Sequence, residues 1–511
     1  MGSGFTRRRF LKALGAAGAC LALTSAGGCE LLGRAQKLGS LRVPRHAPLR
    51  APTVWPLPGV SPVLPKGVWA FRSRPDLAPA AAEVTGSAYG TAPGYVFLAL
   101  KEGAGEHGPM ILDDRGQLVW FGKYISARDF RVQRYRGRPV LTWWEGSVVA
   151  GHGVGEYVIF DDSYREIARV RAGNGYRGDL HEFLITPKDT ALLTAYAPAT
   201  ADLSAVGGPE AGAVWDGIAQ EIDIETGEVL FEWHSLDHVG VEESYIHPPD
   251  DPAYVYDYFH INSIDVDHDE NLLVSARNTW TVYKIDRESG RVLWRLGGKK
   301  SDFEMGEGTR TALQHDARRH EDGTISVFDN GANLAGHDVS RALVLRLDEE
   351  GMGATLLSEY ASPEGLLSTS QGDAQLLSNG NVLVGWGSQP YLSEFSRSGE
   401  LLLNARFPPE CESYRAFRFP WSGHPTDAPA VALERRSEEK VALYASWNGA
   451  TEVAAWEVIS GPHPNRMEPL GSVPREGFET AMLAQTHGPY VAVRARDRSG
   501  EILGTSAPGK I

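Results

Sequence analysis

Cysteine is nearly absent. The 511 residues contain three, Cys20, Cys29 and Cys411. Cys20 lies in an apolar run and Cys29 just after it, so a processed chain keeps only Cys411 as a possible free thiol. That excludes an internal disulfide framework, even in an oxidising compartment. Positive charge is also short. Lys and Arg total 50 against 65 Asp and Glu, a formal charge of -15. A surface of that sign does not bind nucleic acid non-specifically. It leaves room for a local basic pocket holding a small anion. There is no G-x-x-x-x-G-K-[ST] loop, no H-E-x-x-H, no C-x-x-C and no G-x-S-x-G. No nucleotide, cofactor or metal-ligating motif is therefore readable, and no cofactor and no metal ligand are assigned.

Glycine (57) and proline (31) are plentiful, which favours short strands and many turns. Hydrophobic residues make up 42% and charged residues 23%, as in ordinary globular chains. The N-terminus reads as an address. Thr6-Arg7-Arg8-Arg9-Phe10-Leu11-Lys12 matches the twin-arginine export pattern, and an apolar run from Ala13 to Gly28 follows. That run is short and weak for a membrane span, which needs about 20 apolar residues. Residues 1–29 are expected to be a signal peptide that exports the folded protein to the periplasm or cell surface. Small residues precede Cys29, as before a lipidated bacterial cysteine, but the usual Leu is missing. Lipidation of Cys29 and ordinary cleavage nearby both stand. Residues 30–66 are rich in proline and read either as an extended spacer or as an arm packed on the body.

Through the body one short pattern recurs: an apolar residue, Asp, two or three polar residues, Gly, then apolar residues. It appears at Leu112 to Trp120, Ile222 to Phe231 and Ile285 to Trp294, with weaker copies at Phe160-Asp161, Leu347-Asp348 and Phe395 to Leu403. Physically it is a hairpin: Asp caps the turn, Gly takes a positive φ, and alternating apolar residues face a core. Six copies about 50 to 60 residues apart suit four-stranded blades. The expected fold is all-β, a six-bladed β-propeller over residues 67–424. Residues 425–511 read as a small β-sandwich resembling a fibronectin type III module, or as an extra blade.

Three polar clusters occupy comparable places in successive repeats. They are Asp179-Leu180-His181-Glu182-Phe183, then Phe259-His260-Ile261-Asn262-Ser263, then Gln314-His315-Asp316-Ala317-Arg318. Each precedes a strand. In a propeller the innermost strands line a channel, so these histidines would converge there. Imidazole titrates near neutrality and can act as nucleophile, acid or base. The bland alternative is one buried histidine per blade tying neighbours together. His152, His320 and His337 are weaker candidates, and His238 and His268 lie in charged loops.

These stretches, with Trp294-Arg295-Leu296-Gly297-Gly298, Phe328-Asp329-Asn330-Gly331, Gly380-Asn381 to Trp386-Gly387 and Trp447-Asn448-Gly449-Ala450-Thr451, make the chain resemble a divergent branch of the bacterial arylsulfotransferase family. The likeness runs from about Phe71 to the C-terminus. It implies a propeller that moves a sulfuryl group from an aryl sulfate to a phenolic acceptor through a sulfated histidine, without a nucleotide donor. His260 and His315 match two active-site histidines of the family, and Arg277 falls in its Ser-x-Arg strand. The family's nucleophilic histidine sits on the following blade, where this chain reads Gln371-Gly372-Asp373-Ala374-Gln375. The implied roles are His315 as nucleophile or base, His260 as acid, and Arg277, Arg318 or Arg341 on the sulfate oxygens. His181, Asn262, Gln314 and Gln371 would orient substrate, and Tyr258, Trp280 or Trp386 would flank the aryl ring. Two other readings compete: a non-catalytic exported propeller that binds a ligand or protein, and metal-assisted chemistry on His181, His260 and His315. The expected partners are the donor and acceptor, no nucleic acid, and a membrane only through the lipid anchor.

Overall fold

The computed structural model describes residues 53–57, 63–64, 66–86, 89–251, 253–331 and 338–511. The leader, Cys29 and His337 lie outside them. The described chain is all-β: antiparallel strands, three one-turn 3-10 segments and one short parallel pair. Among the described residues no helix is long and apolar enough to cross a membrane.

The repeated pattern forms hairpins by the chemistry expected of it. Asp113 Oδ1 accepts the amide hydrogens of Arg115 and Gln117 at 2.8 and 2.9 Å, and Gly116 takes φ +70°. Asp223 caps Thr226 at 2.8 Å and Asp286 caps Ser289 at 2.7 Å, with Gly227 and Gly290 likewise left-handed. Each hairpin joins the third and fourth strands of a four-stranded antiparallel unit.

The leading strands of these units are β1 (Arg128–Tyr135), β2 (Gly178–Ile185), β3 (Ile261–Val266), β4 (His315–Arg319), β5 (Asp373–Leu376) and β6 (Glu412–Phe419). The units led by β1 and β2 join into one eight-stranded sheet through a single pair, Gly155 with Gly178. Strand β6 pairs back with Tyr95–Lys101, so the unit that starts the body takes its leading strand from late in the chain. Each leading strand contacts the next, and β6 contacts both β5 and β1. The six form a closed ring.

Five of the six are irregular at the same depth. The pairing register slips within 128–131, 178–183, 261–263, 315–318 and 413–416. Such bulges re-aim side chains. Asp129, His260, Asp316 and Gln371 adopt left-handed φ of 55 to 65° without being glycine, a conformation costing on the order of 1–3 kcal/mol each.

The C-terminal part is two facing sheets. One contains Ala430–Arg435, Lys440–Ser446 and Glu479–Gln485; the other contains Ala455–His463, Arg466–Pro474 and Tyr490–Arg496. Val441, Leu443, Trp456, Val458, Met482 and Val493 share the core between them. Within the proline-rich stretch, Val54–Pro56 adds a strand beside Glu479–Gln485, so this piece is a packed arm.

Candidate functional site

The N-terminal ends of β2, β3 and β4 bring His181, His260 and His315 toward one end of the ring. Their surroundings differ. Asp179, two residues before His181, places Oδ2 2.5 Å from His181 Nδ1. Asp257, three residues before His260, places Oδ2 2.5 Å from His260 Nδ1. The two imidazoles stand edge to face with centroids 4.8 Å apart. In each, Nδ1 faces a carboxylate, which fixes the tautomer with its proton there. In each, Nε2 has no hydrogen-bond partner among the described residues and is left with a lone pair.

His260 is mostly buried, and burial pulls its pKa down to about 4 against the opposing pull of Asp257. Its ring is therefore neutral at pH 7. Burial would raise the Asp257 carboxyl, but His260 and His152 hold it far below the usual range. Asp179 is likewise held low by His181 against its burial.

His315 is engaged at both nitrogens. Its Nδ1 donates to Asn330 Oδ1 at 2.6 Å, with the Leu313 carbonyl at 3.0 Å. Its Nε2 accepts the Gln371 amide hydrogen, from the next unit, at 3.3 Å. Burial and the nearby Arg277 charge push its pKa well below the ordinary value. This ring ties two units together, so the expectation of an open nucleophile at His315 is not met.

Arg277 has no carboxylate partner among the described residues. Its guanidinium donates to Asn278 Oδ1 at 2.8 Å and to the Thr369 carbonyl at 3.1 Å. Its charge lowers the pKa of both His260 and His315.

The other expected residues are held elsewhere. Arg318 is bound by Glu182 and Asp316 at 2.5 and 2.6 Å. Arg341 is bound by Asp329 and Glu359 at 2.9 and 3.0 Å. Neither is positioned on the histidines. Asn262 donates to the Gln314 carbonyl at 2.7 Å, and Gln314 donates to the Ser275 hydroxyl and the Ala276 and Thr281 carbonyls. Both are fully buried and stitch adjacent units. The Gln371 side chain reaches Glu412 at 3.0 Å. Tyr258 and Trp386 are core residues with no exposed ring face, and Trp280 stacks on Tyr245 at 3.7 Å.

Beyond the histidines the ring is plugged by charge. Arg415 is fully buried and bonds Asp129, Asp316 and Glu182 at 3.1, 3.1 and 3.4 Å. Arg131 adds bonds to Asp129 and Glu182. Burial would raise Glu182, but the guanidiniums of Arg318, Arg415 and Arg131 hold it far below the usual range. Past this plug, a cavity of about 580 Å³ opens at the C-terminal ends of the same strands, lined by Gln133, Ile185, Gln375 and Phe417 among others. The histidine pair does not line it.

Sequence reading missed three residues of the cluster: Asp179, Asp257 and, as more than a weak candidate, His152. An acidic residue two positions before His181 and three before His260 was the available signal, and His152 carries none. His152 has Nε2 3.3 Å from Asp257 Oδ2, and Tyr196 and Trp215 wall its ring at 4.2 and 5.0 Å.

No match is found among curated proteins. Among solved structures, a protein of unknown function from Bacteroides caccae is 14% identical, with a TM-score of 0.38 over 64% of this chain and 100% of its own. One from Dyadobacter fermentans DSM 18053 is 11% identical, with a TM-score of 0.35 over 77% and 100%. A catalytically inactive virginiamycin B lyase from Staphylococcus aureus with quinupristin is 10% identical, with a TM-score of 0.27 over 79% and 99%. None of these likenesses bears on the chemistry. Residues 131–408, more than half of the 511, match the family described as Arylsulfotransferase (ASST). The span includes His181 and His260 with Asp179 and Asp257, and Arg277, and the chain belongs to the arylsulfotransferase family.

Proposed function

We propose that this protein is a six-bladed β-propeller arylsulfotransferase that moves a sulfuryl group from an aryl sulfate to a phenol, with His260 as nucleophile. The observation that carries this reading is the His260–Asp257 pair. Nδ1–H is held by the carboxylate, Nε2 keeps its lone pair, and His181 stands beside it in the same state. The donor would be the aryl ester itself, in keeping with the missing nucleotide loop.

In the first step His260 Nε2 forms a bond to sulfur as the bond from sulfur to the aryl oxygen breaks. The phenolate leaves with the electron pair. Asp257 stabilises the positive charge left on the sulfated imidazole. Arg277 binds sulfate oxygens and spreads charge in the transition state. In the second step the acceptor phenol attacks sulfur, His181 Nε2 takes its proton, and the sulfur–nitrogen bond breaks to restore His260. His181 then returns the proton to the phenolate or to solvent.

The setting follows from the leader: twin-arginine export to the periplasm or cell surface, with Cys29 as the candidate lipid anchor. Residues 425–511, with the packed arm, would form a fibronectin type III-like sandwich beside the propeller.

The test is sulfuryl transfer from p-nitrophenyl sulfate to a panel of phenols. Release of nitrophenol should require an acceptor and vanish in His260→Ala. His315→Ala should keep measurable transfer while melting at lower temperature. Folded protein that is silent with every acceptor would favour a ligand-binding propeller. The specific support for that second reading is Gln371 to Gln375, which carries no histidine.

A further inference from the structure

Three donor side chains, His152 from one hairpin and Asp257 and His260 from the segment leading into β3, meet at the histidine cluster, and their hydrogen bonding is incomplete. His152 is carried by a tight two-residue turn. Val149 pairs with His152 across Ala150 and Gly151, whose φ are +49 and +86°, as a type I′ turn requires. Asp257 follows Tyr256, whose backbone is pinned to Ala213 and Trp215. His260 sits at a left-handed φ of 56°. One ligand atom from each lies within 4.8 Å of the others. His152 Nε2 and His260 Nδ1 converge on the same oxygen, Asp257 Oδ2, at 3.3 and 2.5 Å.

His152 is 4% exposed, yet neither of its ring nitrogens has a hydrogen-bond partner. Asp257 Oδ1 is also buried without one. Leaving a buried polar group unsatisfied costs about 1–3 kcal/mol. The aromatic walls of Tyr196 and Trp215 hold the His152 ring in this orientation but offer it no acceptor.

We propose that His152, Asp257 and His260 bind a divalent transition-metal ion of the zinc class. Two imidazoles and one carboxylate suit zinc, cobalt or nickel and disfavour magnesium or calcium, which take oxygen ligands. Three protein ligands leave a coordination position open. An ion seated there moves the His260 proton from Nδ1 to Nε2, so the metal-bound form has no Nε2 lone pair for sulfuryl transfer, and it gives the His152 nitrogen a partner. The proposal rests on the donor atoms alone and does not depend on the sulfuryl-transfer reading.

The test titrates chelator-treated full-length protein with Co²⁺, followed by visible absorption, and with Zn²⁺, followed by calorimetry. One ion per chain is expected. His152→Ala and Asp257→Asn should each weaken binding by more than the roughly 10–100-fold that losing an outer-shell partner costs. His320→Ala, at the opposite end of the ring, should leave it unchanged. If His152→Ala does not fold, zinc-edge absorption spectroscopy of the unmodified protein decides, since two imidazole ligands are expected. Absence of stoichiometric binding, binding unaffected by both ligand substitutions, or a metal shell without imidazole would overturn the proposal. Metal affinity and transfer activity are read separately, so failure of one leaves the other standing.

Discussion

His260 and His315 begin neighbouring strands of one ring, and their fates diverge through single partners. Asp257 takes one nitrogen of His260 and leaves the other open. Asn330 and the Gln371 amide take both nitrogens of His315. Asp257→Asn should therefore be costly despite its small change in volume. An amide can donate as well as accept, which permits the wrong imidazole tautomer. A fall in kcat on the order of 10²–10⁴-fold is expected, with little change in melting temperature, by analogy with triad carboxylates. The pH dependence follows from the same ring. Its pKa lies near 4, so kcat/KM should stay level from neutrality down to about pH 5 and fall below about 4 as Nε2 protonates. Stability should respond earlier. The unfolded chain takes up protons on these histidines near pH 6.5, while folded His260 and His315 resist them. Denaturant midpoints should thus drop between pH 7 and pH 5. That histidines would line the ring was legible from the repeat. Which of them keeps a free nitrogen was not, because the deciding partners of His315 come from another strand and another unit.

The outer hairpins were readable because their chemistry is local. An Asp caps the turn it starts and a Gly supplies the positive φ, all within seven residues. The bulged leading strands were not readable, since their irregularity serves contacts across the ring. Arg318 looked like an anion binder in sequence, and its charge is instead consumed by Glu182 and Asp316. Arg415, outside every motif, closes the same network. Arg415→Met leaves Glu182 and Asp129 short of a buried partner. Removing one member of such a network costs about 3–5 kcal/mol. Thermal unfolding should therefore show a drop of several degrees, larger than for Arg341→Met, whose side chain is less completely buried.

Across the whole molecule, two pieces of chain complete structures begun far away in sequence. Glu412–Phe419 pairs with Tyr95–Lys101, and Val54–Pro56 pairs with Glu479–Gln485. Truncation after residue 411 should abolish cooperative unfolding, because it removes β6 and with it Arg415. Truncation after residue 424 should keep a folded ring, detectable by β-sheet circular dichroism and a single melting transition. The all-β character was legible in the repeated hairpin pattern. The packed arm was left open, because proline-rich sequence suits a free spacer and an edge strand equally.

The late arrival of β6 also sets a schedule for synthesis. Until residue 419 has emerged, Tyr95–Lys101 presents an unpaired sheet edge, and Asp129, Glu182 and Asp316 lack Arg415. Such an edge invites pairing with other chains. A ribosome stalled part-way would hold a sticky, open intermediate rather than a smaller closed ring. Any function of the closed ring must therefore wait until β6 has been made.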